Sequence, residues 1–340
     1  MKFSQSLKIG DRLIGPEHPC FVIAEAGVAH FGDYEKALAL VDLALESGAD
    51  AVKFQIFDVD EMFSSEAREW RERMGGRCLT FDQFTELQAY CQKSGICFFA
   101  TAHDLKSLEF LEKLDVPLFK IGSGELWNWS YISSVAEKQK PTILSTGMAN
   151  LEDVREAVSL FAKAQNPHLA LLHCVTSYPT PPEDVNLGAM TLMREEFATV
   201  TGYSDHTEGY HVPLAAVANG ASIIEKHIAL DFGLADAQDW KVSCGPSDLG
   251  VFIQQLRDIE SAKGCAKKEP SALELENRLW ARKSLVVLKD LVERQTLRRA
   301  DLGMKRPGTG IPASELDRIV GRRLNTAIKK NSILRWEYLE

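Results

Sequence analysis

No run of about 18 consecutive apolar residues, the length a membrane-crossing helix needs, occurs in this chain of 340 residues. Its first segment, MKFSQSLKIGDRLIGPEHP, has no apolar core followed by a cleavage site, so neither a membrane partner nor export is indicated and a cytoplasmic protein is expected. Paired cysteines are missing as well. Seven are present (Cys20, Cys78, Cys91, Cys97, Cys174, Cys244 and Cys265), an odd number with no C-x-x-C spacing, which excludes a disulfide framework and a structural zinc site as the organising device. Positive charge is in deficit: 39 Lys and Arg stand against 48 Asp and Glu, a formal net charge of −9, and no basic run with interleaved aromatics offsets it, so nucleic acid is not an expected partner. Low-complexity segments are absent too.

What the chain does have is apolar content. At 45% apolar and 26% charged residues it can bury enough surface to offset the entropy lost on folding. Its length suits one large domain and one small one. From Phe21 onward, short apolar runs alternate with helical patterns, the signature of parallel strands joined by crossover helices. Strand ends are predicted at FVIAEAG (21–27), AVKFQ (51–55), CFFAT (97–101), LFKIGS (118–123), TILST (142–146), LALLHC (169–174), ATVTGYS (198–204) and SIIEKH (222–227). Thr80 and Gln83 form a capping box before Phe84, Leu87 and Cys91, and Gly95 closes that helix. Asn150 precedes Val154, Ala157, Val158 and Phe161 at helical spacing, and Leu249, Phe252, Ile253, Leu256 and Ile259 mark an eighth helix. Eight β/α units within roughly 250 residues predict a closed (β/α)8 TIM barrel rather than an open sheet. The predicted division is a barrel with an N-terminal extension over 1–262, a helical or irregular linker over 263–280, and a small domain over 281–340.

In such a barrel the site forms where strands end. Nearly every strand supplies a polar group there: Glu25, Lys53 with Gln55, Thr101, Lys120 with Ser123 and Glu125, Ser145, His173, Ser204 with Asp205 and His206, and Lys226 with His227. A single strand-end hydroxyl more often satisfies nearby backbone. Two lysines and several hydroxyls converging on one mouth are costly unless an anion, a phosphate ester or carboxylate, sits among them. His206 and His227 end neighbouring strands and read either as ligands to one ion or as hydrogen-bonded structural histidines; Glu25 and Asp239 favour the ion, with Mn, Mg, Co and Zn all open. His173 and Cys174 read as packed interior ahead of a nucleophile pair. His30 and His103, in the loops after the first and third strands, either touch substrate or are solvated.

The segments IAEAGVAHFGD, GADAVKFQ, FKIGSGE, ILSTGM, LLHCVTSYPTPPEDVNL, GYSDHTEG and IIEKHI, in that order, resemble the sialic acid synthases and their nonulosonate synthase relatives, spore-coat polysaccharide members included. The tail, ARKSLVVLKDL through KRPGTGIP to VGRRL, looks like the antifreeze-like (SAF, β-clip) domain that closes those enzymes. The resemblance implies condensation of phosphoenolpyruvate with an N-acyl hexosamine, N-acetylmannosamine or a relative, to a nine-carbon 2-keto sugar acid and phosphate. It implies that Lys53, Thr101, Lys120, Ser123, Ser145 and Ser204 hold phosphoenolpyruvate and that His206 and His227 bind a divalent ion, Mn or Mg foremost. Gln55, Thr176, Tyr178 and Asp239 are expected to face the sugar. Glu25 is expected to act as general acid/base, with Asp239 orienting hydroxyls. It further implies a homodimer with exchanged tails, in which Arg306 reaches the partner's barrel. Two departures concern the sugar: Ala29 in AHFG and Thr176 in HCVT stand where the family commonly has Asn, so acceptor recognition is expected to differ. A Schiff-base or metal aldolase, or a sugar-binding barrel without turnover, are the competing readings.

Overall fold

The computed structural model describes residues 1–233 and 239–340. Eight parallel strands close into a barrel: β1 (Phe21–Gly27), β2 (Ala51–Ile56), β3 (Cys97–Ala102), β4 (Phe119–Ile121), β5 (Thr142–Ser145), β6 (Leu169–Cys174), β7 (Val200–Asp205) and β8 (Ile223–His227). β8 returns to β1 with Ile223 opposite Phe21 and His227 opposite Glu25, which seals the cylinder. Every residue of β1, β6, β7 and β8 is buried, as strands sandwiched between a lumen and a helical layer must be. Gly202 permits the tight β7–β8 approach, since a Cβ there would lie 2.2 Å from the Ile223 carbonyl oxygen.

The helices start where side chains satisfy orphan amides. Thr80 and Gln83 make a reciprocal box ahead of Phe81–Ser94, and Gly95 ends that helix at φ +82°. Asn150 and Asp153 do the same for Leu151–Lys163, whose Val154, Ala157, Val158 and Phe161 face the barrel. The last barrel helix, Leu249–Lys263, buries Leu249, Phe252, Ile253 and Leu256.

The N-terminal extension forms an antiparallel hairpin, Leu7–Ile9 with Arg12–Ile14, turning at Gly10 with φ +57°. Leu7, Ile9 and Ile14 join the barrel's own apolar core. Beside the hairpin, buried Asp50 accepts from the Val22 amide at 2.8 Å and from Arg257 Nη2 at 2.8 Å, and pairs with Arg12. Asp50 precedes β2, so these contacts close the end of the barrel opposite the strand C-termini.

The chain divides into Met1–Gly264 and Cys265–Glu340. The second unit carries a helix, Ala272–Ala281, capped by Ser271 and Glu274, and an antiparallel pair, Ser284–Val287 with Leu302–Lys305. Its separate core gathers Leu285, Val287, Leu291, Ile311, Leu324 and Leu334. All seven cysteines are free thiols. No helix among the described residues is long and apolar enough to cross a membrane.

Candidate functional site

At the C-terminal end of the barrel the strand-end side chains surround one open cavity. Glu25, Lys53, Gln55, Thr101, Lys120, Ser123, Ser145, Thr176, Tyr178, Ser204, His206 and His227 all line it. The sequence-predicted constellation is therefore brought together, apart from two members. Asp239 lies just outside, its Oδ2 3.9 Å from His227 Nδ1. Arg306 belongs to the second unit, where its Nε donates to the Ala281 carbonyl at 3.0 Å and its guanidinium lies 5.5 Å from the Trp280 ring centroid.

Two cations stand at the cavity floor. Lys53 Nζ meets Glu25 Oε2 at 2.6 Å and donates to Thr101 Oγ1 at 3.1 Å; Lys120 Nζ donates to Ser145 Oγ at 2.7 Å. Between them lies Glu225, 3.8 Å from Lys53 and 3.9 Å from Lys120, which also accepts from Ser204 Oγ at 3.1 Å. Sequence reasoning missed Glu225 and singled out its neighbour Lys226. Side chains alternate along a strand, so with His227 facing the lumen, Glu225 must as well and Lys226 must not. Lys226 is instead spent outside the lumen on Asp205 (2.5 Å) and the carbonyls of Thr207 and Gly209, which removes both Lys226 and Asp205 from the candidate set. His173 likewise faces away and bonds the Val185 carbonyl at 2.6 Å, whereas adjacent Cys174 turns into the cavity beside Ser123 Oγ at 3.1 Å. They do not form a pair. His103 lines the cavity, and His30 receives the Gly32 amide on Nδ1 at 3.0 Å. Burial lowers both imidazoles to about 4.

Gly147 leaves room for two of the cavity hydroxyls. Its amide donates to Ser123 Oγ at 2.9 Å, and a Cβ at this position would lie 2.3 Å from Thr176 Oγ1 and 2.8 Å from Ser123 Oγ.

The electrostatics follow from the enclosure. Burial pushes the Glu25 carboxyl up to about 7 against the pull of Lys53, with Glu225 adding to the rise. Burial would raise Glu225 too, but Lys120 and Lys53 outweigh it and bring it down to about 2. Lys53 suffers the same burial and is nonetheless held above the ordinary amine value by Glu225 and Glu25; Lys120 is pulled below it by burial, which Glu225 offsets only in part. With Glu25 protonated, the floor holds two ammonium groups and one carboxylate, a surplus that favours an anion.

The histidine pair lies on the cavity wall, ring centroids 5.4 Å apart. His206 Nδ1 lies 2.6 Å from the Val175 carbonyl oxygen, so that nitrogen carries the proton and Nε2 offers its lone pair, here to the Tyr178 hydroxyl at 2.9 Å. Burial, reinforced by His227, lowers His206 to about 4, and burial lowers His227 as well. Both are neutral imidazoles near pH 7, the form that ligates metal. Among the described residues no group of three His, Cys, Asp or Glu converges on one point. A cation held by His206 and His227 would thus keep most of its coordination positions for small molecules.

The NeuB family profile matches residues 40–268 and the SAF domain profile matches residues 282–340. The chain is 38% identical to the N,N'-diacetyllegionaminic acid synthase of Legionella pneumophila, over 96% of either chain. It is 33% identical to the human N-acetylneuraminate-9-phosphate synthase, over 97% of this chain and 95% of that one. Among solved structures it is similar to the N-acetylneuraminic acid synthetase of Leptospira borgpetersenii in complex with citrate, with a TM-score of 0.76 and 37% identity, covering 81% of this chain and 96% of that one.

Proposed function

Because the chain belongs to the NeuB family, we propose that it condenses phosphoenolpyruvate with an N-acyl hexosamine, N-acetylmannosamine or a relative, to a nine-carbon 2-keto sugar acid and phosphate. The observation that carries this reading is the meeting of Lys53, Lys120, Thr101, Ser123, Ser145 and Ser204 around one cavity that also presents two neutral imidazoles. The lysine that a Schiff-base aldolase commonly carries on its sixth strand has no counterpart in LALLHC.

In the reaction, C3 of phosphoenolpyruvate attacks the aldehyde carbon of the open-chain sugar, water adds to C2, and the tetrahedral adduct expels phosphate by C–O cleavage. Lys53 and Lys120 neutralise the substrate's phosphate and carboxylate, and the hydroxyls of Thr101, Ser123, Ser145 and Ser204 complete their hydrogen bonds. Glu225 keeps both ammonium groups charged and orients Ser204. Glu25, a carboxylic acid near neutral pH and in contact with Gln55 Nε2 at 3.2 Å, holds the proton that must move between water, adduct and leaving group. Gln55, Thr176 and Tyr178 face the sugar, and Asp239 orients its hydroxyls. His206 and His227 would hold a divalent ion, Mn or Mg, whose charge would polarise the aldehyde. The assembly in this reading is a homodimer with exchanged tails, Arg306 of each copy gripping an acyl carbonyl in the other's site.

The test is release of phosphate from phosphoenolpyruvate in Mn or Mg. It is expected only when an N-acyl hexosamine is present; silence across a panel of such sugars would leave a sugar-binding barrel as the better description. A pH effect is expected too. As pH rises through about 7, Glu25 ionises, the surplus positive charge of the cavity is lost, and phosphoenolpyruvate binding weakens. In the limit one proton is coupled to binding, so Kd rises by about tenfold per pH unit above that point. Calorimetric titration should show this slope in the unaltered chain and a flatter one in Glu25→Gln; equal slopes would dismiss Glu25 as the linked proton.

A further inference from the structure

Thr101 turns into the barrel lumen, where its Oγ1 receives Lys53 Nζ. Residues two apart on an extended chain share a face, so His103, directly after β3, turns the same way and lines the cavity at the mouth. The ring is held from several sides. Its backbone amide donates to the Ile56 carbonyl at 3.1 Å, and the next residue, Asp104, accepts from the amides of Asp58 and Ser107 at 2.8 and 2.7 Å. Phe57 meets the imidazole edge-on, ring centroids 6.2 Å apart. Nδ1 lies 4.0 Å from Glu125 Oε1, and the other oxygen of that carboxyl accepts from Asn128 Nδ2 at 2.9 Å. The second ring nitrogen, Nε2, is buried and has no hydrogen-bond partner among the described residues. A buried polar atom in that state is costly. Of the charges around the ring, the ammonium groups of Lys53 and Lys120 act on it most strongly, ahead of Asp104, so the imidazole stands beside the floor that the two lysines prepare for an anion.

We propose that His103 is a further binding residue for phosphoenolpyruvate, its Nε2–H donating to an oxygen of the bound anion alongside Lys53 and Lys120. The inference rests on the synthase reading and adds one donor to it. Burial and the two ammonium groups keep the ring neutral, at about 4. A neutral imidazole has a single N–H to give, and Glu125 sets which nitrogen bears it: burial pushes that carboxyl up, and a carboxyl inclined to keep its proton makes Nδ1 the accepting nitrogen. Nε2 is then the donor. A charge-assisted bond from Nε2 adds direction to a site whose lysines supply mainly charge, and it satisfies the buried nitrogen.

Calorimetric titration of the full chain with phosphoenolpyruvate tests this in three variants. His103→Phe keeps a ring against Phe57 and removes both nitrogens; its Kd should rise about tenfold or more, the worth of a hydrogen bond to a charged group. His103→Gln, whose amide nitrogen reaches the place of Nε2, should recover most of that loss, and His103→Asn, whose shorter amide reaches only the place of Nδ1, should not. Stability should move the other way. Without ligand, His103→Phe is expected to melt at or above the parental temperature, since an unpaired buried nitrogen is exchanged for apolar surface of similar shape. Three results would overturn the assignment and leave the synthase reading standing: parental affinity in His103→Phe, a Phe variant that melts well below the parent, or a Gln variant that binds no better than the Asn variant. No binding of phosphoenolpyruvate by the unaltered chain would remove both.

Discussion

Alanine at His206 or at His227 is expected to lower turnover by about 10²–10³-fold, the loss that follows when a group stabilising developing negative charge is taken away, while phosphoenolpyruvate still binds. The separation follows from where the groups sit. Lys53, Thr101, Lys120 and Ser145 come from β2 to β5, whereas His227 ends β8 and His206 directly follows β7. Removing one imidazole leaves the anion's lysines and hydroxyls untouched. His206 has a further duty, because its Nδ1 bonds the Val175 carbonyl and its Nε2 meets Tyr178; the His227 variant is therefore the cleaner probe. Steady-state phosphate release paired with a phosphoenolpyruvate titration reads both quantities. Full activity in either variant would remove the metal assignment.

Lys53→Met is expected to abolish anion binding, because the surplus positive charge of the floor goes with it, while costing only about 1–3 kcal/mol of barrel stability for the partners left unsatisfied. Lys53 is the shared partner of Glu25 and Glu225, all three almost wholly buried. Deleting the ammonium leaves Glu225 with Lys120 as its counter-charge at 3.9 Å and deprives Thr101 Oγ1 of its donor. The double variant Lys53→Met/Glu225→Gln should be less stable than the single one in urea unfolding, and bind no better, because Lys120 is then a buried charge without a carboxylate partner. A double variant that unfolds at or above the single variant's urea concentration would show that this charge balance does not set the stability of the barrel.

Much of this arrangement was legible in the sequence, for a physical reason. Strand period, cap residues and turn glycines are local signals, so Thr80 with Gln83, Gly95 and Asn150 announce their helices directly, and the topology of a closed barrel then fixes which strand-end residues must meet. Glu225 was hidden by a conflict between two local cues. Lys226 looked the better partner for an anion, yet the two-residue alternation that turns His227 inward sends Lys226 out to Asp205. The hairpin LKIGDRLI carried its own signal, Gly10 and Asp11 between two short alternating runs, and was read only as an extension. Asp50 gave no signal at all. Its partners Val22, Arg12 and Arg257 lie far apart along the chain, and no local pattern encodes a contact of that range.

The Asp50 contacts bear on how the protein is born. β1 has no second neighbour until β8 arrives, and Arg257, which clasps Asp50, lies in the helix after that. Glu25 and His227 face each other only across this last seam. A ribosome-bound chain arrested before residue 257 should thus hold most of the barrel's mass while lacking a competent cavity, its first strand exposed as an unpaired edge to chaperones. Phosphoenolpyruvate binding should appear abruptly near the end of barrel synthesis, not in proportion to length.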